Sequence, residues 1–413
     1  MKATKRATGG GAGERQEGAL GWLPWAGARR RPILRPEWWS RHIVGIDGHR
    51  LSTRLPAPTT ARQVEEIFAE HLPRFIREHG DAPVPLVFWA HGGLIGRKFA
   101  FDDAMQAVPW WLANGIYPIY FVWDTGLMAT FRAILVHRWK HALTVQRRRA
   151  SASPGGSAEK TPPEEPLNDR LIDLVARLID GRRLWETMKQ NARDANFQDD
   201  GGGLCVASWL EDFLANHPGS VTLHAVGHSA GAVFQASFVR ELTERGIQFD
   251  TLQLLAPAMS IRNFTGRLAP AIESMDVKSF TMFSMSRQTA RSDHLLGLYR
   301  GGSMLYFVRN ALEPEADKGM LGLQEDVAAS ALADYFDEDP DKGRISAIWS
   351  VAMASPRSSS AATTHAAFTT DVLTLDSVAR RILGRDDIVS SGAFSGAFPN
   401  ARAALLERIR RRF

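Results

Sequence analysis

The chain contains a series of short runs in which nearly every residue is apolar. Two examples are Pro85–Ala90 and Tyr117–Trp123, and the segment between them has helical character. Runs of this length that do not alternate with polar residues suit strands buried on both faces, as in a parallel sheet. A strand, a helix and a strand in succession predict a parallel βαβ unit.

Similar runs return in the second half of the chain. The predicted strands there are Val221–Val226, Leu252–Ala256, Phe280–Met285 and Ile345–Ala352, and a helix is predicted over Ala232–Glu244. This alternation of strands and helices predicts an α/β protein with a doubly wound, mostly parallel sheet.

Two local signals mark where this order begins. Asp47-Gly48, a favoured dipeptide of tight hairpins, lies between two short alternating runs. Thr60 and Gln63 then form a capping-box pattern, which predicts a helix that continues to about Glu78.

Residues 126–200 interrupt the alternation of strands and helices, and they predict a helical cap inserted into the domain. The helix around Phe131 and Trp139 combines apolar with basic residues, so it is either a lid that faces lipid or a helix packed on the core. Residues 150–167 are of low complexity and predict a disordered loop. Residues 1–38 are rich in Gly and Arg and predict a disordered basic tail, which leaves 39–413 as one domain.

Composition narrows the class of protein. Hydrophobic residues make up 44% and charged residues 23% of the 413, a balance typical of soluble globular proteins. The net charge of +5 comes mainly from arginine runs. No nucleic-acid motif accompanies these runs, so we expect solvated tails and no nucleic acid partner, with peripheral contact to a membrane as the alternative.

The number of cysteines and the hydropathy of the chain indicate in which cellular compartment the protein is expected. Cys205 is the only cysteine, which excludes an intrachain disulfide and a cysteine-rich zinc site. No apolar run follows the basic N-terminus, and no stretch of about 18 apolar residues occurs. We therefore expect neither a secretory signal nor a transmembrane helix, and a cytoplasmic location.

Ser229 stands in the sequence Gly227-His228-Ser229-Ala230-Gly231, directly between a predicted strand and a predicted helix. A bare G-x-S-x-G pattern is expected about 0.2 times by chance in a chain of this composition, so the context decides. A sharp strand-to-helix turn raises a serine hydroxyl above the sheet, and the glycines keep Cβ atoms away from neighbouring backbone. We therefore predict that Ser229 is a nucleophile. A turn of small residues without chemistry is the alternative.

A serine hydroxyl is a poor nucleophile until a base takes its proton. Of the 12 histidines, only His294 and His365 follow Ser229. His365 lies after the last predicted strand, where a loop from the carboxyl edge of the sheet brings it back over the serine, so it is the predicted base. The predicted acid is Asp293, at the exit of the Phe280–Met285 strand, with a helix-capping aspartate as the alternative.

Acyl transfer also needs donors for an oxyanion. One predicted donor is the backbone amide of Ala230, at the start of the helix. The others come from Gly92-Gly93-Leu94, which follows His91 at the end of a predicted strand. Glycines at this position let backbone amides approach a ligand closely.

Residues 41 to about 385 resemble the α/β-hydrolase superfamily, specifically its serine esterases and lipase-like members. HGG resembles the oxyanion loop of that family, GHSAG its nucleophile elbow, and Asp293 and His365 its later triad positions. The resemblance implies an α/β-hydrolase fold, a variable cap over the site and no cofactor. The departure is that Asp293 lies eight residues beyond the predicted strand, later than the family usually places its acid.

The sequence thus predicts a carboxylic ester hydrolase that acts on small-molecule or lipid esters through an acyl-enzyme on Ser229. An acyltransferase or amidase with the same triad and a non-catalytic binding module of the same fold are the open alternatives. A metal site built from His91, His224 and His228 is disfavoured, because His224 is expected to face the core.

Overall fold

The computed structural model describes residues 36–80, 82–93, 96–123, 181–294, 301–314 and 319–394. The chain divides into two compact units, 1–39 and 40–413. In the first unit, the described part is the helical turn α1, Pro36–Trp39. Most of the predicted tail, the cap up to residue 180 and the candidate lid helix lie outside the described residues, as does the predicted loop 150–167.

The second unit is an α/β domain built on one large sheet. Its eight strands are β1 Ile43–Asp47, β2 Arg50–Leu51, β3 Val84–Ala90, β4 Tyr117–Trp123, β5 Val221–His228, β6 Phe249–Leu255, β7 Val277–Met285 and β8 Ile345–Ser350. A separate antiparallel pair consists of β9 Ala352–Met353 and β10 Ser359–Ser360.

The helices of the first half lie between these strands. They are α2 Ala61–Glu66, α3 Leu72–His79, α4 Arg97–Ala113, α5 Gly181–Phe197 and α6 Gly202–Asn216, with a π-helical segment, Ile67–His71, between α2 and α3. The helices of the second half are α7 Gly231–Glu244, α8 Ile261–Arg267, α9 Ala269–Glu273, α10 Arg287–Ser292, α11 Met304–Phe307, α12 Gln324–Ala328 and α13 Val372–Leu383. A second π-helical segment, Val308–Leu312, follows α11, and short 3-10 helices span His365–Thr369 and Ser391–Phe394.

The strand order is β2-β1-β4-β3-β5-β6-β7-β8, and every neighbouring pair is parallel except β1 with β2. The prediction of an α/β fold with a mostly parallel sheet is therefore confirmed. The chain runs outwards from β3 to β4, then returns to place β5 on the other side of β3. This makes the carboxyl ends of β3 and β5 the switch point of the sheet, where open α/β sheets form their binding crevices.

Helices cover both faces of the sheet, and adjacent residues of β3 show which helix covers which face. The ring of Phe88 lies 4.9 Å from Phe238 of α7, whereas the ring of Trp89 lies 6.1 Å from Trp111 of α4. Successive residues of a strand point to opposite faces. Consequently α4 and α7 lie on opposite faces of the sheet, and the core is double-layered with large aromatic side chains in both layers.

Local signals of the sequence are confirmed at the start of the domain. Asp47 pairs with Arg50 across a hairpin in which Gly48 has φ 62°. Thr60 and Gln63 form the reciprocal capping box at the start of α2. The predicted single helix instead contains a π-helical segment at Ile67–His71, which ends two residues before Pro73. Proline has no N–H for the usual helical hydrogen bond, which accounts for the local change.

Helix α5 is the described part of the predicted cap, and it packs against α6 and α7. Its Lys189 is buried and forms an ion pair with Glu313, with Nζ and Oε2 2.9 Å apart. Trp185 donates a hydrogen bond to the other carboxylate oxygen at 2.7 Å. A buried carboxylate is tolerated when it is paired and hydrogen-bonded, so this cluster fixes α5 to the segment that follows the second π-helical turn.

The predicted strand Ile345–Ala352 ends earlier, at Ser350, and Ala352 belongs to β9. The Ser350 carbonyl accepts hydrogen bonds from the amide of Ser286 and the hydroxyl of Thr289, so the chain leaves the sheet there. Among the described residues, no helix has the length and apolar character needed to cross a membrane.

Candidate active site

Ser229 forms the turn between β5, which ends at His228, and α7, which begins at Gly231. Its φ of 55° lies in the left-handed region, which is uncommon for a residue with a side chain. The Ser229 amide donates to the carbonyl of Leu255 at 2.9 Å, and the Ser229 carbonyl accepts from the amide of Ala258 at 3.0 Å. Hydrogen bonds on both sides of the residue therefore hold this strained backbone in place.

The two flanking glycines are required by close packing of the turn. A Cβ added to Gly227 would lie 2.8 Å from the carbonyl oxygen of Gly231. One added to Gly231 would overlap the carbonyl oxygen of Ala90, at the end of β3. The glycine pattern thus reflects the contact between the elbow and the neighbouring strand.

His365 lies against Ser229, with 2.8 Å between its Nε2 atom and the Ser229 Oγ atom. It begins a 3-10 helix, and both side chains are buried. Burial and then the neighbouring His228 lower the pKa of His365 well below 6.5. The imidazole is therefore neutral at neutral pH, so Nε2 is available to accept the serine proton.

Asp293 reaches the same residue but contacts its main chain. Its Oδ2 atom accepts a hydrogen bond from the backbone amide of His365 at 2.8 Å, and the side chain is buried. The Nδ1 atom of the His365 ring has no hydrogen-bond partner among the residues that the structure describes. The expected contact between the acid and the ring is thus replaced by a contact between the acid and the loop that carries the ring.

The helix-capping alternative for Asp293 is met in part. Asp293 stands at the C-cap position of α10, where its backbone amide donates to the carbonyl of Thr289, while Ser286 caps the start of that helix by accepting from the amide of Thr289. The carboxylate of Asp293 bridges to the loop of His365.

The predicted oxyanion residues meet Ser229 at the switch point. A Cβ added to Gly92 would lie 3.0 Å from the Ser229 Cβ atom and 2.9 Å from the Nδ1 atom of His228. Within the described part of the chain, the amide of Ala230 donates no hydrogen bond. Gly93 is described beside Gly92, whereas Leu94 lies outside the described residues.

His91 holds the glycine loop, a role that sequence reasoning did not assign to it. Its Nε2 atom accepts from the amide of Trp123 at 3.2 Å, so the neutral ring carries its proton on Nδ1. Nδ1 then donates to the carbonyl of Gly92 at 2.8 Å. Because a trans peptide group points its C=O and N–H in opposite directions, this bond also fixes the direction of the Gly93 amide.

His228 is a second residue whose role was missed. Its Nε2 atom donates to the carbonyl oxygen of His365 at 3.1 Å. Burial lowers the pKa of His228 to about 4, which keeps the ring neutral beside His365. Asp293 and His228 therefore hold the amide and the carbonyl of the same residue. The position of His228, at the end of β5 next to Ser229, is the only sequence signal for this contact.

The other candidate residues lie elsewhere. His294 is exposed. His224 is buried, and its two ring nitrogens contact the hydroxyls of Thr251 and Thr222, each at 2.9 Å. No group of three His, Cys, Asp or Glu side chains suited to a metal ion occurs within the described ranges.

Comparison with known proteins finds no family model that matches the chain, and no curated protein or solved structure matches it either.

The packing of the elbow predicts a stability difference between two glycine variants. Gly231→Ala places a methyl group on the backbone of β3 and should lower the free energy of unfolding by at least about 2 kcal/mol. Gly266→Ala in α8 is the control, because its added Cβ meets nothing within 4 Å. It should leave stability unchanged or raise it by up to about 1 kcal/mol, through helix propensity. Urea denaturation followed by circular dichroism measures both, and equal stabilities would show that the elbow has room for a side chain.

Proposed function

We propose that the protein is a serine hydrolase of the α/β-hydrolase type that cleaves carboxylic esters through an acyl-enzyme on Ser229. The observation that carries the proposal is the 2.8 Å contact between the Ser229 hydroxyl and a neutral, buried imidazole. A nucleophile paired with a base in this way is the minimal unit of acyl transfer.

In the proposed reaction, the Ser229 Oγ atom forms a bond to the ester carbonyl carbon while His365 Nε2 takes the hydroxyl proton. The negative charge then resides on the former carbonyl oxygen, where the amides of Ala230 and Gly93 stabilise it. The C–O bond to the alcohol breaks, and the imidazolium returns its proton to the leaving oxygen. Water, activated by the same imidazole, releases the acid and restores Ser229.

The architecture supports this assignment. The site lies at the carboxyl ends of β3 and β5, the switch point where a doubly wound sheet opens its crevice. The strand–turn–helix setting of Ser229 and its positive φ are those of a nucleophile elbow. An acyltransferase or amidase would use the same residues. Ester hydrolysis is favoured here because water, unlike a larger acyl acceptor, needs no further binding site.

Replacing the nucleophile tests the function directly. Ser229→Ala should abolish labelling by a fluorophosphonate probe and lower the hydrolysis of p-nitrophenyl acetate and butyrate by about 10³-fold or more. The control is Ser220→Ala, at the opposite end of the same strand, where the hydroxyl donates to the carbonyl of His217. Labelling and turnover should be retained in this variant. Folded wild-type protein that is not labelled at Ser229 would favour the non-catalytic binding module.

Two variants separate the roles of Asp293. Asp293→Asn keeps an oxygen that accepts from the His365 amide but removes the negative charge, so kcat should fall by about ten- to a hundredfold. Asp293→Ala removes both, and kcat should fall by at least a further tenfold because the loop of His365 loses its anchor. Steady-state kinetics on both proteins measure the difference. Equal losses would mean that the main-chain contact is unimportant for turnover.

The pKa of His365 predicts the acid side of the pH profile. A base works only while it is neutral, and the pKa of this one lies well below 6.5. As the pH falls, kcat/KM should therefore stay level through pH 6.5 and decline only at more acidic values. Rates measured with a neutral ester, after subtraction of the Ser229→Ala blank, test this. A midpoint at pH 6.5 or above would show that the imidazole is more exposed to water than its burial implies.

A further inference from the structure

A pocket on the α4 face of the sheet holds a carboxyl group that the proposed mechanism does not use. Trp89 of β3 and Tyr120 of β4 line one side of it, and Trp110 and Trp111 of α4 line another. Asp103, about two helical turns before those tryptophans, completes the α4 side. The cavity measures about 30 Å³ and is partly open, which is room for two or three non-hydrogen atoms.

The aromatic residues of the pocket form one packed cluster. The rings of Trp89 and Tyr120 stack with centroids 5.6 Å apart, and those of Trp110 and Trp111 lie 4.3 Å apart. The indole N–H of Trp111 donates to the Tyr120 hydroxyl at 2.7 Å, and that of Trp110 donates to the carbonyl of Val389 at 2.9 Å. Both indole donors are therefore engaged, and what the cluster offers a ligand is aromatic surface.

Asp103 is the charged member of the pocket. Within the described part of the chain its carboxyl group takes part in no hydrogen bond or ion pair. Its neighbour Asp102, by contrast, lies outside the pocket and pairs with Lys98 at 3.1 Å. Burial and then the charge of Asp102 raise the pKa of Asp103 to about 7. His91 and Tyr120 are the other titratable side chains that line the pocket. A partly buried carboxylate without a partner is costly, so a ligand that supplies positive charge would be stabilised there.

The chemistry of the walls selects the kind of ligand. A carboxylate attracts a cation, and aromatic faces attract ammonium groups through their quadrupoles. An anion would be repelled by Asp103, whereas a neutral alcohol would donate a hydrogen bond to the carboxylate but leave its negative charge without a counter-charge. The small volume limits the group to a short alkyl chain that carries one ammonium.

The pocket also adjoins the candidate active site through two segments. His91 lines it, and the next two residues are the oxyanion glycines. Thr369 and Thr370 line it as well, at the end of the 3-10 helix that begins with His365. A ligand in the pocket thus touches the segments that carry the proposed oxyanion loop and the proposed base.

We propose that this pocket binds a protonated short-chain amine, with Asp103 as its counter-ion and the tryptophan and tyrosine rings as its walls. The amine is either a separate small molecule or the cationic end of the ester that Ser229 cleaves. The second source rests on the proposed function, whereas binding of the amine itself does not.

Binding is tested with ethylammonium chloride at pH 8, where Asp103 is mostly ionised and the amine is protonated. Saturation-transfer NMR on the full chain should detect ethylammonium. Ethanol, of similar size but neutral, should not displace it. Asp103→Asn should weaken binding by about ten- to a hundredfold, as expected for loss of a charged partner. Asp102→Asn on the same helix is the matched control and should bind as the wild type does.

Three outcomes would overturn the proposal: no binding to wild-type protein, displacement by ethanol at equal concentration, or unchanged binding in a folded Asp103→Asn variant. The ethanol competition uses wild-type protein alone, so it tests whether the pocket prefers an ammonium group even when the variant does not fold.

Kinetics then distinguish the two sources of the amine. If ethylammonium raises the KM for p-nitrophenyl acetate and leaves kcat unchanged, the pocket holds the cationic end of the substrate. If it binds without altering either constant, the pocket takes a separate ligand. The binding experiment repeated on Ser229→Ala does not depend on catalysis, so failure of the proposed function leaves its result intact.

Discussion

The contact between the Ser229 hydroxyl and the His365 ring joins two segments that are 136 residues apart in the chain. It depends on the conformation of one residue, since Ser229 must hold a φ of 55° for its side chain to rise from the end of β5. The neighbouring strands stabilise that conformation. The amide of Ser229 is bound by β6, and Gly231 packs on the backbone of β3. The parallel register of three central strands is thus what places the hydroxyl.

The position of the imidazole is set by main-chain contacts more than by contacts to its ring. Asp293 holds the amide of His365, and His228 holds its carbonyl oxygen. Fixing both ends of one residue limits the orientations that its side chain can take. Nε2 therefore faces Ser229, although Nδ1 has no hydrogen-bond partner within the described ranges. Asp293 thus anchors the loop between β10 and the 3-10 helix through the main chain of His365.

Most of the sheet could be predicted from the sequence, because strands buried on both faces leave continuous apolar runs. Tyr117–Trp123 is the clearest case, with all seven residues buried. The elbow was also predictable, since glycines at two fixed positions are demanded by the backbone around Ser229. The sequence does not predict the π-helical segment before Pro73 or the early end of β8. Each of them depends on how a few backbone hydrogen bonds are satisfied after folding.

The contacts around the candidate site were harder to predict for a related reason. The role of His91 follows from which ring nitrogen carries the proton, and that is decided by the amide of Trp123 on the adjacent strand. The sequence places Asp293 after a strand, but the atom that its carboxylate contacts depends on the path of the loop that carries His365.

The pocket of Asp103 likewise depends on contacts that form only in the folded chain. It is lined by residues of β3, β4 and α4 and by Thr369 and Thr370, at the end of the 3-10 helix of His365. In sequence, Asp103 stands directly beside Asp102, and nothing distinguishes the two carboxylates. Packing separates them, because one faces Lys98 at the surface and the other faces tryptophan side chains. Packing therefore holds the carboxyl group of Asp103 among aromatic rings and beside the segments that carry the proposed base and the proposed oxyanion donors.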